Sequence, residues 1–291
     1  MRFGIITDVH LASAGAGSLS WHNAYAMADV VTRFRDALAR CVAAEVDAIA
    51  VLGDLSNDGD DASLDDGVRL AAASGRPVWL VPGNHDVIAR ADALATAIAR
   101  VGAGTVRLAP PGGVPLGGGV RLAGLAALTC DRLTKDTTVR AAAPLPVPAW
   151  GDDLVLLLAH YPLLSLAERA TDAGLKYAGD LADLDALATP LRRRATPTVV
   201  AHGHLHLRDA SSVGRVLQIS CAALIEPPFE VTLLDIARYG GRATARRAST
   251  PVAPSPDVRL PVLAPPDGAW MFEAGAWHAI ERSISTRAAI H

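Results

Sequence analysis

His202, His204 and His206 stand at alternate positions in TVVAHGHLHL (198–207), directly after an apolar run. Imidazoles at that spacing suit a divalent cation, and they also suit a polar strand end, so the rest of the chain must decide between the two. Asp8 and His10 lie in TDVH, Asp54 in GDLSND, Asn84, His85 and Asp86 in GNHD, and His160 in HYP. Singly, each has an ordinary structural use: a helix cap for Asp8 or Asp54, a left-handed turn for Asn84, a satisfied strand end for His160. Jointly they form a donor set of neutral imidazoles, carboxylates and one amide oxygen, which fits two divalent cations sharing a carboxylate. Such a pair acidifies water and clamps a phosphoryl oxygen for in-line displacement.

These residues need elements that bring them together. Apolar runs at Phe3–Ile6, Ala48–Leu52, Val78–Val81, Leu154–Ala159 and Thr198–Ala201 each end at one of the polar clusters, and segments of helical spacing intervene. That alternation predicts an α/β fold, in which ligands bind beyond the carboxyl ends of the strands. Helices are expected over about Ala24–Glu45, with Asn23 as its N-cap, and over Ala62–Ala73, Val87–Val101 and Gly179–Arg194. Thr105–Leu128, with PPGG and GGG between short apolar runs, reads as a hairpin, and RVLQISCAAL and FEVTLLDIA read as two further strands.

The 291 residues, 51% of them hydrophobic and 20% charged, suffice for one large domain with a small appendage. A net charge of -3 offers no basic field toward nucleic acid or an anionic membrane. The three cysteines, Cys41, Cys130 and Cys221, are odd in number and widely spaced, which favours small core residues in a reducing compartment over a disulfide framework. The start of the chain shows neither a signal-peptide pattern nor a membrane-spanning run, so a cytoplasmic protein is expected. After Arg247 the composition becomes proline-rich; a domain over 1–247 is expected to carry an extension over 248–291 that packs back on it, with an oligomer contact as the alternative.

The ordered blocks D-x-H (Asp8, His10), G-D (Gly53, Asp54), G-N-H-D (Gly83–Asp86), a lone His160 and G-H-x-H (Gly203–His206) resemble the calcineurin-like metallophosphoesterase superfamily. The resemblance implies a four-layer α/β/β/α sandwich of two mixed sheets, with a dinuclear metal site at the carboxyl ends of the strands. It implies Asp8, His10 and His206 on one metal, Asn84, His160 and His204 on the other, and Asp54 between them. His85 would stabilise developing charge or protonate the leaving oxygen, Asp86 would orient the His85 ring, and Gly203 would let the backbone turn. His202 is read as structural or supporting; His22, with Trp21 and Asn23, is read as loop packing, with lining of the substrate pocket as the alternative; and His278 and His291 are read as solvated or core histidines of the tail.

The departures narrow the function. Protein Ser/Thr phosphatases resemble G-D-x-V-D-R-G with G-N-H-E, and lipid A pathway hydrolases G-N-R-D; this chain has GDLSNDG and GNHD. The superfamily's nucleases carry a larger accessory region and a basic surface, so nucleic acid is disfavoured. TDVHL with GNHD is most similar to small bacterial class III phosphodiesterases, which act on cyclic nucleotides or glycerophosphodiesters. The expectation is therefore hydrolysis of a small phosphodiester, with a small phosphomonoester as the alternative and a non-catalytic scaffold disfavoured because every expected ligand is present. The cations would be Mn, Fe or Zn. The substrate is expected to be set by the loops Ser13–Tyr25, Leu55–Asp65 and Tyr161–Gly179, in which Tyr161, Lys176 and Tyr177 are read equally as contacts to a phosphate or base and as solvated side chains, whereas Arg192–Arg194 reads as a solvated helix end.

Overall fold

The computed structural model describes residues 1–12, 19–125, 128–130, 139–177 and 179–280. Three strand-helix units come first: β1 (Arg2–Ile6) and α1 (Val30–Ala43), β2 (Ala48–Val51) and α2 (Asp61–Ala73), β3 (Val78–Leu80) and α3 (Ala93–Val101), closed by β4 (Val106–Leu108). A hairpin of β5 (Val114–Gly117) and β6 (Val120–Gly124) follows, then a small pair of β7 (Leu128–Cys130) and β8 (Val139–Ala141). Next are β9 (Leu154–Leu158), α4 (Ala167–Asp172), α5 (Leu184–Arg193), β10 (Thr198–His202), β11 (Asp209–Val213) and β12 (Val216–Ser220). The described chain ends with β13 (Glu230–Tyr239), β14 (Arg242–Pro251), β15 (Asp267–Glu273) and β16 (Ala276–Ala279).

Two mixed sheets result. One has the order β16-β15-β14-β13-β1-β2-β3-β4, parallel from β1 to β4 and antiparallel from β1 outward through β13; the other runs β11-β12-β10-β9-β6-β5, parallel within and antiparallel at both edges. The strand period of two distributes the apolar runs between three cores. Ile49 and Val51 pack with Phe34, Leu38, Leu64 and Leu94 of the helices, while Ala48, Ala50 and Leu52 face the second sheet. Leu154, Leu156 and Leu158 meet them from across the interface, and Val155 and Leu157 turn outward to Trp150, Leu187 and Leu191. The central strands are apolar on both faces because both faces are covered. Full burial of each such side chain contributes roughly 1.5 to 3 kcal/mol, so the layers α/β/β/α are dictated by where these residues can go.

Several boundaries differ from the sequence expectation. Asn23 caps no helix: its backbone N–H donates to Glu226 Oε2 at 2.6 Å, a short 3-10 turn occupies Met27–Asp29, and α1 begins only at Val30. By contrast α2 has an ordinary cap, Asp60 accepting from the Ser63 N–H at 3.0 Å. α3 begins at Ala93 rather than Val87, since Val87–Asp92 continues the loop after GNHD, and α5 begins at Leu184. The Thr105–Leu128 segment is divided between the sheets: β4 lies parallel to β3 and only β5 and β6 form the hairpin, with 126–127 outside the described residues. Arg192 and Arg193 are exposed, as expected of a solvated helix end, whereas Arg194 is buried, donating to the carbonyls of Gly151, Asp153 and Pro197 and lying over the Trp150 ring.

β14 runs through position 247 without a break. The proline-rich stretch from 252 to 266 is irregular apart from a bridge between Arg208 and Val262, and it is held by backbone bonds to Arg208 and by the Arg247 side chain on the Pro265 carbonyl. β15 and β16 then return to the first sheet, placing Trp270, Phe272 and Trp277 in the core between the sheets. His278 is exposed on β16; His291 lies outside the described residues. Among the described residues no helix is long and apolar enough to cross a membrane.

Candidate metal centre

Loops leaving β1, β2 and β3 of one sheet and β9 and β10 of the other meet above the strand ends. The Asp8 N–H donates to the Gly53 carbonyl, and those of Val9 and His10 to the Asp54 carbonyl, joining loops of the first sheet, while that of Gly203 donates to the His160 carbonyl, joining the loops after β10 and β9 of the second. Side chains complete the lacing: Asp8 accepts from the His204 N–H at 3.1 Å and Asp54 from the His85 N–H at 2.9 Å. Asp8, His10, Asp54, His204 and His206 all have φ between 50° and 65°, in the left-handed region that non-glycine residues seldom occupy. Five such residues in one cluster mark a backbone bent for function and held by its surroundings. Gly203 does not supply that turn. A Cβ there would lie 1.8 Å from Thr7 Oγ1, so glycine is required for close approach, and the left-handed conformation falls on the two histidines after it.

The rings share one logic. His10 Nδ1 donates to Asn57 Oδ1 (3.3 Å), His85 Nδ1 to the Asn57 carbonyl (2.6 Å), His160 Nδ1 to the Leu52 carbonyl (2.7 Å) and His206 Nδ1 to Glu226 Oε1 (2.7 Å). With Nδ1 holding the proton, Nε2 is the free donor: in His10 and His160 it lies 3.6 and 3.3 Å from Asp54 Oδ2, and in His206 3.4 Å from Asp8 Oδ1. Asn84 Oδ1 is 3.0 Å from His160 Nε2. His204 stacks on Tyr161, ring centroids 3.8 Å apart, and its Nε2, like that of His10, is buried with no hydrogen-bond partner. Three overlapping triads have ligand atoms within 4.8 Å of one another: Asp8-His10-His206, His10-Asp54-His85 and Asp8-Asp54-His160.

Charge follows from this arrangement. Burial pushes the His206 ring down, but Asp8 and Glu226 outweigh it and raise the ring to about 10; burial likewise opposes and Asp54 prevails at His160, raised to about 9. Asp8, despite burial, is held at about 2 by His206, and Asp54 well below the usual range by His160 and His85. His10, dominated by burial, falls to about 3, and His204 also falls well below the ordinary imidazole value. Ionised carboxylates, neutral imidazoles with orphaned buried nitrogens, and two rings that hold protons beside carboxylates are the donor set that divalent cations would satisfy.

One sequence reading changes. Asp86 does not orient the His85 ring: its oxygens accept the Ser56 and Gly83 N–H groups, both at 2.9 Å, and it braces the loop, while Asn57 holds the ring. Burial and the charge of Asp54 lift the Asp86 carboxyl to about 6. Tyr177 and Lys176 are engaged with Asp180 and the Trp21 carbonyl, and Asp65 pairs with Arg100 on α3. His202 is fully buried, donating from Nδ1 to the Gly203 carbonyl, and His22 bonds the Leu205 carbonyl. Asn57, Glu226 and Tyr25, whose ring centroid lies 5.0 Å from that of His10, escaped the sequence reading. Asn57 sits inside the GDLSND cluster and was open to notice there.

A sequence profile of the calcineurin-like phosphoesterases matches residues 1–208. The chain belongs to that family. No curated protein sequence matches it. Among solved structures, a dimetal phosphatase from Danio rerio is 15% identical, with 87% of this chain and 99% of that one covered and a TM-score of 0.60. A Thermus thermophilus protein, TT1561, is also 15% identical, covering 80% and 93% with a TM-score of 0.50. These likenesses concern the fold. As a calcineurin-like phosphoesterase the chain is a metal-dependent phosphoester hydrolase, and its family implies a dinuclear divalent centre that the donor set fits.

Proposed function

We propose that this calcineurin-like phosphoesterase hydrolyses a small phosphodiester, of cyclic-nucleotide or glycerophosphodiester type. Asp8, His10 and His206 would hold one divalent cation and Asn84, His160 and His204 the other, with Asp54 available to both; Mn, Fe and Zn all suit the donors. When bound, the cations supply Lewis-acid stabilisation of the phosphoryl oxygens and an acidified attacking water. The observation that carries the reading is the set of overlapping triads built on Asp8 and Asp54.

His85 acts from beside these ligands. Its Nδ1 proton is committed to the Asn57 carbonyl, so Nε2 faces the cluster, and the ring lies edge-on to His10 with centroids 4.7 Å apart. In its protonated form His85 gives the Nε2 proton to the departing alkoxide while Asn57 stabilises the charged ring. Diester preference is supported by the pairing of TDVHL with GNHD in this sequence.

The test strips the protein of metal, restores Mn²⁺, and compares initial rates on bis(p-nitrophenyl) phosphate and p-nitrophenyl phosphate. The diester is expected to be cleaved faster, with dependence on metal and on His85. Faster cleavage of the monoester would replace the reading with a phosphomonoesterase.

A further inference from the structure

Glu226 belongs to no motif of the family blocks, yet it is fully buried at the edge of the metal centre. The chain carrying it is wedged between two parts of the site. The N–H groups of Leu224 and Ile225 donate to the carbonyls of Thr7 and Asp8, and the Ile225 carbonyl accepts from the Ala26 N–H. The two carboxylate oxygens then point to different partners: Oε1 accepts from His206 Nδ1 at 2.7 Å and Oε2 from the Asn23 N–H at 2.6 Å. A carboxylate can serve both donors at once, whereas an amide of the same shape has one acceptor oxygen and must turn an N–H toward the other donor.

We propose that Glu226 is a positioning residue that locks His206 with Nε2 turned toward the metal site and ties the Trp21–Tyr25 segment to the same ligand. The proposal rests on the assignment of His206 as a ligand. A carboxylate behind a ligating imidazole fixes its orientation and strengthens it as a donor, an effect whose loss typically weakens metal binding by about 10- to 100-fold. The second tie gives Glu226 a further role. Tyr25, whose ring centroid lies 5.6 Å from that of His206, follows Asn23 by two residues, and His22 bonds the Leu205 carbonyl between His204 and His206. The segment at the mouth of the site is thereby registered against the ligand loop.

The experiment is a calorimetric titration of chelator-stripped protein with Mn²⁺, combined with amide exchange read at Asn23. Wild type is expected to show two binding steps and His206→Ala to lose one of them. Glu226→Ala should weaken that same step by about 10- to 100-fold, leave the other unchanged, and speed exchange at Asn23 while the amides of Phe3–Ile6 stay protected. Glu226→Gln, which keeps the volume and one of the two links, should show a smaller loss, and it carries the test if the alanine variant does not fold. A wild-type titration for Glu226→Ala alongside a lost step in His206→Ala overturns the proposal alone, as does equal weakening of both steps. Two intact steps in His206→Ala overturn the ligand assignment and the proposal with it.

Discussion

Two regions of the molecule bury several charges each, and they do so on opposite terms. At the metal centre, Asp8 and Asp54 are fully buried yet held well below the usual carboxylate range, and the imidazoles around them leave ring nitrogens unbonded. Where the proline-rich stretch crosses the sheets, Arg208 pairs with Glu230, Arg169 with Asp209, and Arg247 donates to the Asp209 and Pro265 carbonyls. There burial dominates and raises both Asp209 and Glu230, against the pull of their arginines. The second cluster also leaves atoms such as Glu230 Oε2 and Arg247 Nε without hydrogen-bond partners, but its carboxylates are neutralised by permanent cations of the chain itself. The first has only imidazoles, which must either take up protons or give way to a cation from outside, and that is what separates a site from a structural network.

The largest effect should come from Asp54→Ala, which removes the carboxylate common to two of the triads: metal content measured by atomic spectroscopy should fall and the rate should drop roughly a thousandfold or more. His85→Ala should retain both metals and lose about 10²- to 10⁴-fold in rate, separating proton transfer from ligation. Full activity in that variant would remove His85 from the mechanism. Glu230→Gln should do the reverse, costing about 3 to 5 kcal/mol in chemical denaturation by leaving the buried Arg208 unpaired, with metal content unchanged.

The smallest effect is in pH. In metal-free protein His206 and His160 are raised to about 10 and 9, above the unfolded imidazole value of about 6.5. The stability they contribute is fully present below about 6.5 and is lost as pH rises through 9 and 10. The melting temperature of chelated protein should therefore fall across that interval by several degrees, and Mn²⁺ should flatten the fall. A flat profile for the chelated protein would contradict the charge assignment.

Much of this was legible before any coordinates. The five blocks could be read because each follows an apolar run whose period of two, in a strand buried on both faces, gives a continuous hydrophobic stretch ending at the site. Glu226 was not legible: it lies 20 residues from His206 and 203 from Asn23, and neither bond has a local signature. β4 was misread as part of a hairpin for the same reason, since PPGG announces a reversal but nothing local announces that Val106 will pair with Val78. Asn23 looked like a cap because a helix-like pattern follows it, but α1 begins only at Val30, too far on for its side chain to reach. The proline signal after Arg247 was real over 252–266, while the β15–β16 hairpin beyond it reads as amphipathic sequence until its partner β14 is known.

β1, whose loop carries Asp8 and His10, is flanked by β2 on one side and by β13 on the other. One neighbour of β1 is thus close in sequence and the other distant, since β13 begins only at Glu230. The residues gathered at the candidate site, from Asp8 to His206, are brought together by pairings of long sequence separation, so the closure cost falls on the two sheets as a whole and not on any local segment.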